Sequence, residues 1–238
     1  LFVCLAFHSY MSAVSQILQW TRLVGNLGSS YARATAVDSS QSVYVAGYST
    51  VSLHGESYAG GNDLVVLKYS SNGTRIWTRM AGTSGDEFAY GIAWSNDFVY
   101  ACGSVGGSIH GQSYVGSTDI VILKYSTNGT RIWTKMAGSA QSEEARGIAV
   151  DSNSNSVYVT GYTTGTTFLG ASGAGNNDIF VMKYSTNGSF IWSKLIGSSN
   201  NDFGFGVAVE NVGAVYVAGA YGAAIDGESN AGGLDLSL

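Results

Sequence analysis

The side chains able to do chemistry come in copies. Leu53-His54-Gly55-Glu56-Ser57-Tyr58 returns as Ile109-His110-Gly111-Gln112-Ser113-Tyr114 and, in part, as Ile225-Asp226-Gly227-Glu228-Ser229. An imidazole, a carboxylate or amide, and a phenol within five residues can bind sugar hydroxyls or peptide groups. Loops that recur in register gather on one face of a repeat structure. His54, Glu56, Tyr58, His110, Gln112, Tyr114, Asp226 and Glu228 are therefore the candidate ligand-binding residues. The competing explanation is that Gly-Ser turns need small residues, with the histidines solvated beside them. Two histidines are too few for a metal, and another copy, Phe168-Leu169-Gly170-Ala171-Ser172, has none. Neither metal nor cofactor is expected.

Carboxylates recur as well. Asp86-Glu87, Glu143-Glu144 and Asp202 follow one another at the same point of each copy. Paired carboxylates serve as acid and base in glycoside hydrolysis, but neighbouring residues of a strand point to opposite sides. They are read here as solvated loop charges. Asp63, Asp119, Asp178 and Asp235 each precede a β-rich run. Calcium needs several converging oxygens, whereas one carboxylate bonded to loop amides explains each aspartate, a structural role. No nucleophile elbow, phosphate loop or zinc motif is present, so no catalytic residue is assigned.

Composition narrows the classes further. The 238 residues carry 11 Lys and Arg against 16 Asp and Glu, a net charge of −5. Nucleic-acid binding needs the opposite balance, so no nucleic-acid partner is expected. The two cysteines, Cys4 and Cys102, cannot form a disulfide framework. No apolar run approaches the roughly 18 residues of a membrane helix. With 33 glycines, no proline and 45% hydrophobic residues, the chain can build a core.

The elements that position these residues follow from the period. Trp20, Trp77, Trp133 and Trp192 are spaced by 57, 56 and 59 residues, and Gly47, Gly103, Gly161 and Gly219 keep the same interval. Each period holds four short strands. Gly91 to Ser95 and Gly147 to Asp151 alternate small and bulky residues, the period-two mark of a strand. Val157-Tyr158-Val159-Thr160-Gly161 is a second, and Ile120-Val121-Ile122-Leu123 a third, buried on both faces. Asn72-Gly73, Asn128-Gly129 and Asn187-Gly188 predict tight hairpins with positive φ at both residues, leading into the tryptophan strand. Helical periodicity is absent. The fold class is all-β, a β-propeller of four-stranded antiparallel blades. Its innermost strand, lined by Gly and Ala, predicts a narrow and chemically blank channel.

This pattern resembles the SBBP repeat, a β-propeller family. The motif is fullest as Trp133, Gly138, Glu143-Glu144, Gly147-Ile148-Ala149-Val150-Asp151, Val157-Tyr158-Val159-Thr160-Gly161-Tyr162 and Asp178-Ile179-Phe180-Val181-Met182-Lys183-Tyr184. Ser95 and Glu210 replace the strand-ending aspartate. The resemblance implies a propeller and transfers no active residues. The spacing of Gly73 to Trp77 is also similar to the tryptophan-docking repeats of quinoprotein propellers, but a packing anchor suffices for each Trp. The Asn-Gly-Thr/Ser turns are also glycosylation sequons in a eukaryotic secretory route.

Residues 1–15 are either a signal-peptide remnant, with Ala13-Val14-Ser15 as cleavage site, or a degraded strand. Residues 16–238 form blades over about 31–80, 88–137, 145–196 and 204–238. Residues 17–25 supply an outer strand, either closing the last blade or belonging to a preceding one. Sixteen strands make four blades, as a closed ring or, the favoured reading, as part of a larger one. The expected function is a non-catalytic extracellular or surface scaffold binding protein or carbohydrate. The alternative is a hydrolase or quinoprotein-like oxidoreductase with its site in the channel.

Overall fold

The computed structural model describes residues 2–8, 17–210, 213–224 and 235–237. Among these every regular element is a strand. A first hairpin pairs β1 (Phe2–His8) with β2 (Ile17–Val24). The first full blade runs β3 (Ser30–Val37), β4 (Val43–Ser49), β5 (Asp63–Tyr69) and β6 (Arg75–Ala81), in that order across the sheet. The second is β7 (Glu87–Ser95), β8 (Phe98–Val105), β9 (Asp119–Ser126) and β10 (Arg131–Ala137). The third starts with β11 (Glu143–Asp151) and β12 (Ser156–Thr163). A two-stranded loop, β13 (Thr167–Phe168) and β14 (Ala171–Ser172), leads to β15 (Asp178–Ser185) and β16 (Phe190–Ile196). A further sheet holds β17 (Phe203–Val209), β18 (Val215–Tyr221) and β19 (Asp235–Ser237). All pairings within sheets are antiparallel.

Blades stack face to face, with the first strands β3, β7, β11 and β17 innermost and touching in sequence. Alternation on the middle strands feeds both neighbours. On β5, Val65 and Leu67 pack with Trp20 and Val24, while Leu64 and Val66 pack against β7–β9. On β9, Val121 and Leu123 face the first blade, and Ile120 and Ile122 the third. Each such fully buried side chain contributes about 1.5–3 kcal/mol, and a blade alone would expose both faces. The strand holding Trp20 pairs with β1 and shares no sheet with β17–β19, so these sheets do not close into a ring.

The hairpin turns differ from expectation. Gly73, Gly129 and Gly188 have φ of 77°, 85° and 88°, but the asparagines before them stay in the ordinary region. Gly73 N donates to Ser70 O, so the turn is a type I turn followed by a left-handed glycine. The asparagine side chain explains its own conformation: Asn72 Oδ1 accepts from Thr74 N at 3.1 Å. The mirror-image turn stands instead at Asn96-Asp97, where both φ values are positive between β7 and β8.

The turn glycines also lock blades together. A Cβ on Gly73 would meet the Trp20 ring at 2.7 Å, and one on Gly129 the Trp77 ring at 2.9 Å. Trp20, Trp77 and Trp133 therefore lie on the next blade's turn. Trp20, Trp77 and Trp133 donate Nε1 to the carbonyls of Ser71, Thr127 and Thr186 at 2.8, 3.0 and 3.2 Å. Trp192 is half-buried against Tyr158.

Candidate functional site

The recurrent loop residues are occupied within their own blades. His54-Gly55 and His110-Gly111 form tight turns with positive φ at both residues. His54 Nδ1 lies 2.8 Å from Thr78 Oγ1, and His110 Nδ1 lies 2.8 Å from Thr134 Oγ1. Partial burial, then Arg75 and Arg131 respectively, lower both imidazole pKa values, so these histidines are neutral at pH 7. Glu56 pairs with Arg79 at 3.3 Å. Tyr58 OH donates to Gly61 O at 2.7 Å, and Tyr114 OH to Ser117 O at 2.5 Å. Gln112 N closes its turn onto Ile109 O. Thr78 and Thr134 stand on outer strands, so these loops fold toward the blade's outer edge. Asp226 and Glu228 lie outside the described residues. No group of three His, Cys, Asp or Glu suited to a metal occurs among those described.

The recurrent carboxylates need a correction. Glu87, Glu143 and Asp202 are not solvated but fully buried. Each caps the turn before its strand: Thr83 N donates to Glu87 at 2.6 Å, Ser139 N to Glu143 at 2.8 Å and Ser198 N to Asp202 at 2.6 Å. Hydroxyls of Thr83, Ser139 and Ser198 bond the same carboxylates. Enough donors converge to satisfy an ion out of water, which lone loop charges would not require. Asp63, Asp119 and Asp178 are also buried, accepting from the amides of Ala59, Val115 and Ala174. Asp235 opens β19.

The innermost strands overturn the expectation of a blank channel. Their pairing skips one residue in every blade: Ala32 pairs Gly47 but Ala34 pairs Ala46, leaving Arg33 as the extra residue. The same bulge leaves out Tyr90, Arg146 and Phe205. A bulge re-aims one side chain and is a recurring device beside binding sites. The strand-closing glycines permit it. A Cβ on Gly103 would fall 1.7 Å from Phe88 O, and one on Gly161 1.8 Å from Glu144 O. The inner strands expected from Ala34, Gly91, Gly147 and Gly206 begin three to four residues earlier, at Ser30, Glu87, Glu143 and Phe203, and that earlier part holds the large side chains. The signal was there: Tyr31-Ala32-Arg33, Phe88-Ala89-Tyr90, Glu144-Ala145-Arg146 and Phe203-Gly204-Phe205 keep the period, each with a small central residue.

These residues form a belt along the inner edge of the blades. Tyr31 stacks on Tyr48 at 4.9 Å, and Phe88 meets Tyr48 edge-on at 4.7 Å. Tyr162 meets Phe203 at 4.9 Å, and Phe203 stacks with Phe205. Arg33 lies over Tyr48 and donates to its hydroxyl at 2.9 Å. Arg146 lies between Tyr90 at 4.3 Å and Tyr162 at 5.8 Å, and pairs with Glu144 at 2.6 Å. Burial opposes the Arg146 charge, but Glu144 and the two phenols outweigh it and raise its pKa. Burial, with Glu144 second, pushes the Tyr90 phenol up to about 12. The Nε of Arg146 is buried without a hydrogen-bond partner. Tyr31 and Phe205, 48% and 51% exposed, offer open ring faces.

Residues 19–54 and 132–168 match the model of the SBBP beta-propeller repeat. The chain carries SBBP propeller repeats. Regulatory protein FlaEY of Caulobacter vibrioides is 25% identical over 165 residues, covering 63% of this chain and 17% of that protein. An uncharacterized WD repeat-containing protein, L264, of Acanthamoeba polyphaga mimivirus is 28% identical over 116 residues. That match covers 44% of this chain and 8% of the viral protein. The chain thus spans less than a fifth of the length of either relative. A crystal structure of a protein of unknown function from Bacteroides caccae is 14% identical with a TM-score of 0.47, covering 84% of this chain and 57% of that one.

Proposed function

We propose that this SBBP-repeat chain is a non-catalytic binding scaffold, acting outside the cell or at its surface, that holds a carbohydrate on the inner-strand belt. The single observation that carries the reading is the shared bulge, which turns Arg33, Tyr90, Arg146 and Phe205 out of register in four consecutive blades. Placing one out-of-register side chain per blade is what a recognition surface needs. Aromatic faces accept the apolar face of a sugar ring, and guanidinium groups donate to its hydroxyls. The unpartnered Arg146 Nε supplies a donor whose desolvation a ligand oxygen would relieve.

The test is a glycan array probed with purified protein, followed by titration of the best glycan. Arg33→Ala with Phe205→Ala should weaken binding at least about tenfold, a loss of about 1.4 kcal/mol. His54→Ala with His110→Ala should leave it unchanged. Loss of binding in the histidine pair alone would return the site to the loops.

A further inference from the structure

The outer strands carry a bulge of their own, and each blade fills it with an isoleucine. Lys68 pairs with Trp77 but Tyr69 with Arg75, so Ile76 is the extra residue of β6. The same step leaves out Ile132 on β10 and Ile191 on β16. In the first hairpin Gln19 takes that place. The three isoleucines are 50%, 48% and 49% exposed, and Phe190 beside the last of them is 44% exposed. A bulge with a few charges is an ordinary guard for a sheet edge, and a polar residue such as Gln19 suits that task. An isoleucine half in water in three successive blades shows apolar surface that guarding does not call for.

Positive charge is sorted to the same strands. Arg22, Arg75, Arg79, Arg131, Lys135 and Lys194 lie on β2, β6, β10 and β16, and none of these four strands contains an Asp or Glu. Only Arg79 of the six has an ion-pair partner among the described residues, Glu56 at 3.3 Å. The net charge of −5 conceals this rim, because most acids are inside. Between residues 17 and 210, eight of 13 Asp and Glu are buried, against two of 11 Lys and Arg. Nine cations and five acids remain outside the core there, and six of the nine cations are on the outer strands.

We propose that this outer rim docks on an anionic lipid bilayer, with the bulged isoleucines among the headgroups and the neighbouring cations on the lipid phosphates. A bilayer presents negative charge and an apolar layer together, so it uses both parts of each Arg75-Ile76 and Arg131-Ile132 pair. Long basic side chains keep their charge at the headgroups while an apolar neighbour sinks deeper. Nucleic acid would take the cations through its phosphates and leave the isoleucines in water. An acidic peptide adding as a fifth strand needs a free and regular edge. Here the bulge breaks the ladder at Ile76, and Glu56 Oε2 already accepts from Met80 N at 3.3 Å. The belt on the inner strands plays no part in this contact.

The probe is a vesicle of phosphatidylglycerol and phosphatidylcholine in equal parts, floated with the intact chain at low salt. The protein should float with these vesicles and not with pure phosphatidylcholine, and about 0.5 M salt should release it. Ile76→Ser, Ile132→Ser and Ile191→Ser together should weaken partition at least about tenfold. Arg75→Gln, Arg131→Gln and Lys194→Gln together should weaken it at least about twentyfold, since a cation near such a surface is worth about fivefold. Both sets change exposed side chains, thermal melts check that they fold, and the glutamine set keeps the test valid if the serine set does not. Absence of flotation, equal flotation with pure phosphatidylcholine, or partition indifferent to the glutamine set overturns the proposal. Partition indifferent to a folded serine set, with duplex DNA displacing the vesicles, would mean a site for any polyanion and overturns it as well.

Discussion

Asp63, Glu87 and Asp119 are charges kept where water is scarce. Burial first, and for two of them a nearby second carboxylate, lifts their pKa values, Asp119 to about 6 from 3.8. A carboxyl raised on folding binds protons in the native state that the unfolded chain has released. For Asp119 that stabilising effect is complete below about pH 4 and is lost as the pH climbs through 6. The protein should therefore melt higher at pH 5 than at pH 7. Asp119→Asn keeps an oxygen for the Val115 amide and removes the titration. It should raise stability at pH 7 by on the order of 2 kcal/mol and flatten the profile between pH 4 and 7. A profile as steep as the wild type's would show that Asp119 is not the source. At this scale the sequence was read unevenly. Asp63 and Asp119 stood out by position, but Glu87 and Glu143 looked like loop charges, because which of two adjacent carboxylates turns inward depends on turns such as Thr83 to Glu87.

Strands were legible because their residue pattern is local. The alternation in Gly91 to Ser95 and the apolar run at Ile120 to Leu123 need only a period-two face and burial. The bulge was not legible, because it is a relation between two strands: the glycine at 103 permits what the residue at 90 does. That relation can be tested. Gly103→Ala would place a Cβ 1.7 Å from the Phe88 carbonyl oxygen, a backbone atom unable to step aside. Urea unfolding should show a loss of at least about 3 kcal/mol. Gly55→Ala is the control, since Gly55 has φ 84° and nothing within 4 Å of the added carbon. It should cost only about 1 kcal/mol, the conformational penalty alone. Equal losses at the two sites would mean that the inner strand can relax and that the bulge is not imposed by the glycine.

A stack in which each blade touches only its sequence neighbours is as strong as its separate seams. Period and strand number were readable from the tryptophans, but seam quality was not, since it depends on which side chain faces which turn a blade away. The seam of the first and second blades has the buried Trp77, the Arg79 crossing and Lys68 Nζ donating to Thr127 O. Lys68 also pairs with the buried Asp38 at 3.2 Å. The next seam keeps Lys124 Nζ on Thr186 O, but Ser95 stands where Asp38 would be, so Lys124 rests instead over the Phe98 ring at 3.7 Å. With Lys135 in place of the arginine, two of the first seam's ties are gone. Local opening follows the weakest packing. Native-state hydrogen exchange should therefore release amides of β15 and β16 before those of β5 and β9, and Lys135→Arg should slow the former by about tenfold, 1.4 kcal/mol of added seam stability. The β9 amides should hardly change. Uniform protection across all three blades, or a Lys135→Arg effect spread evenly along the chain, would mean that the stack unfolds as one unit and that this second seam is no weak point.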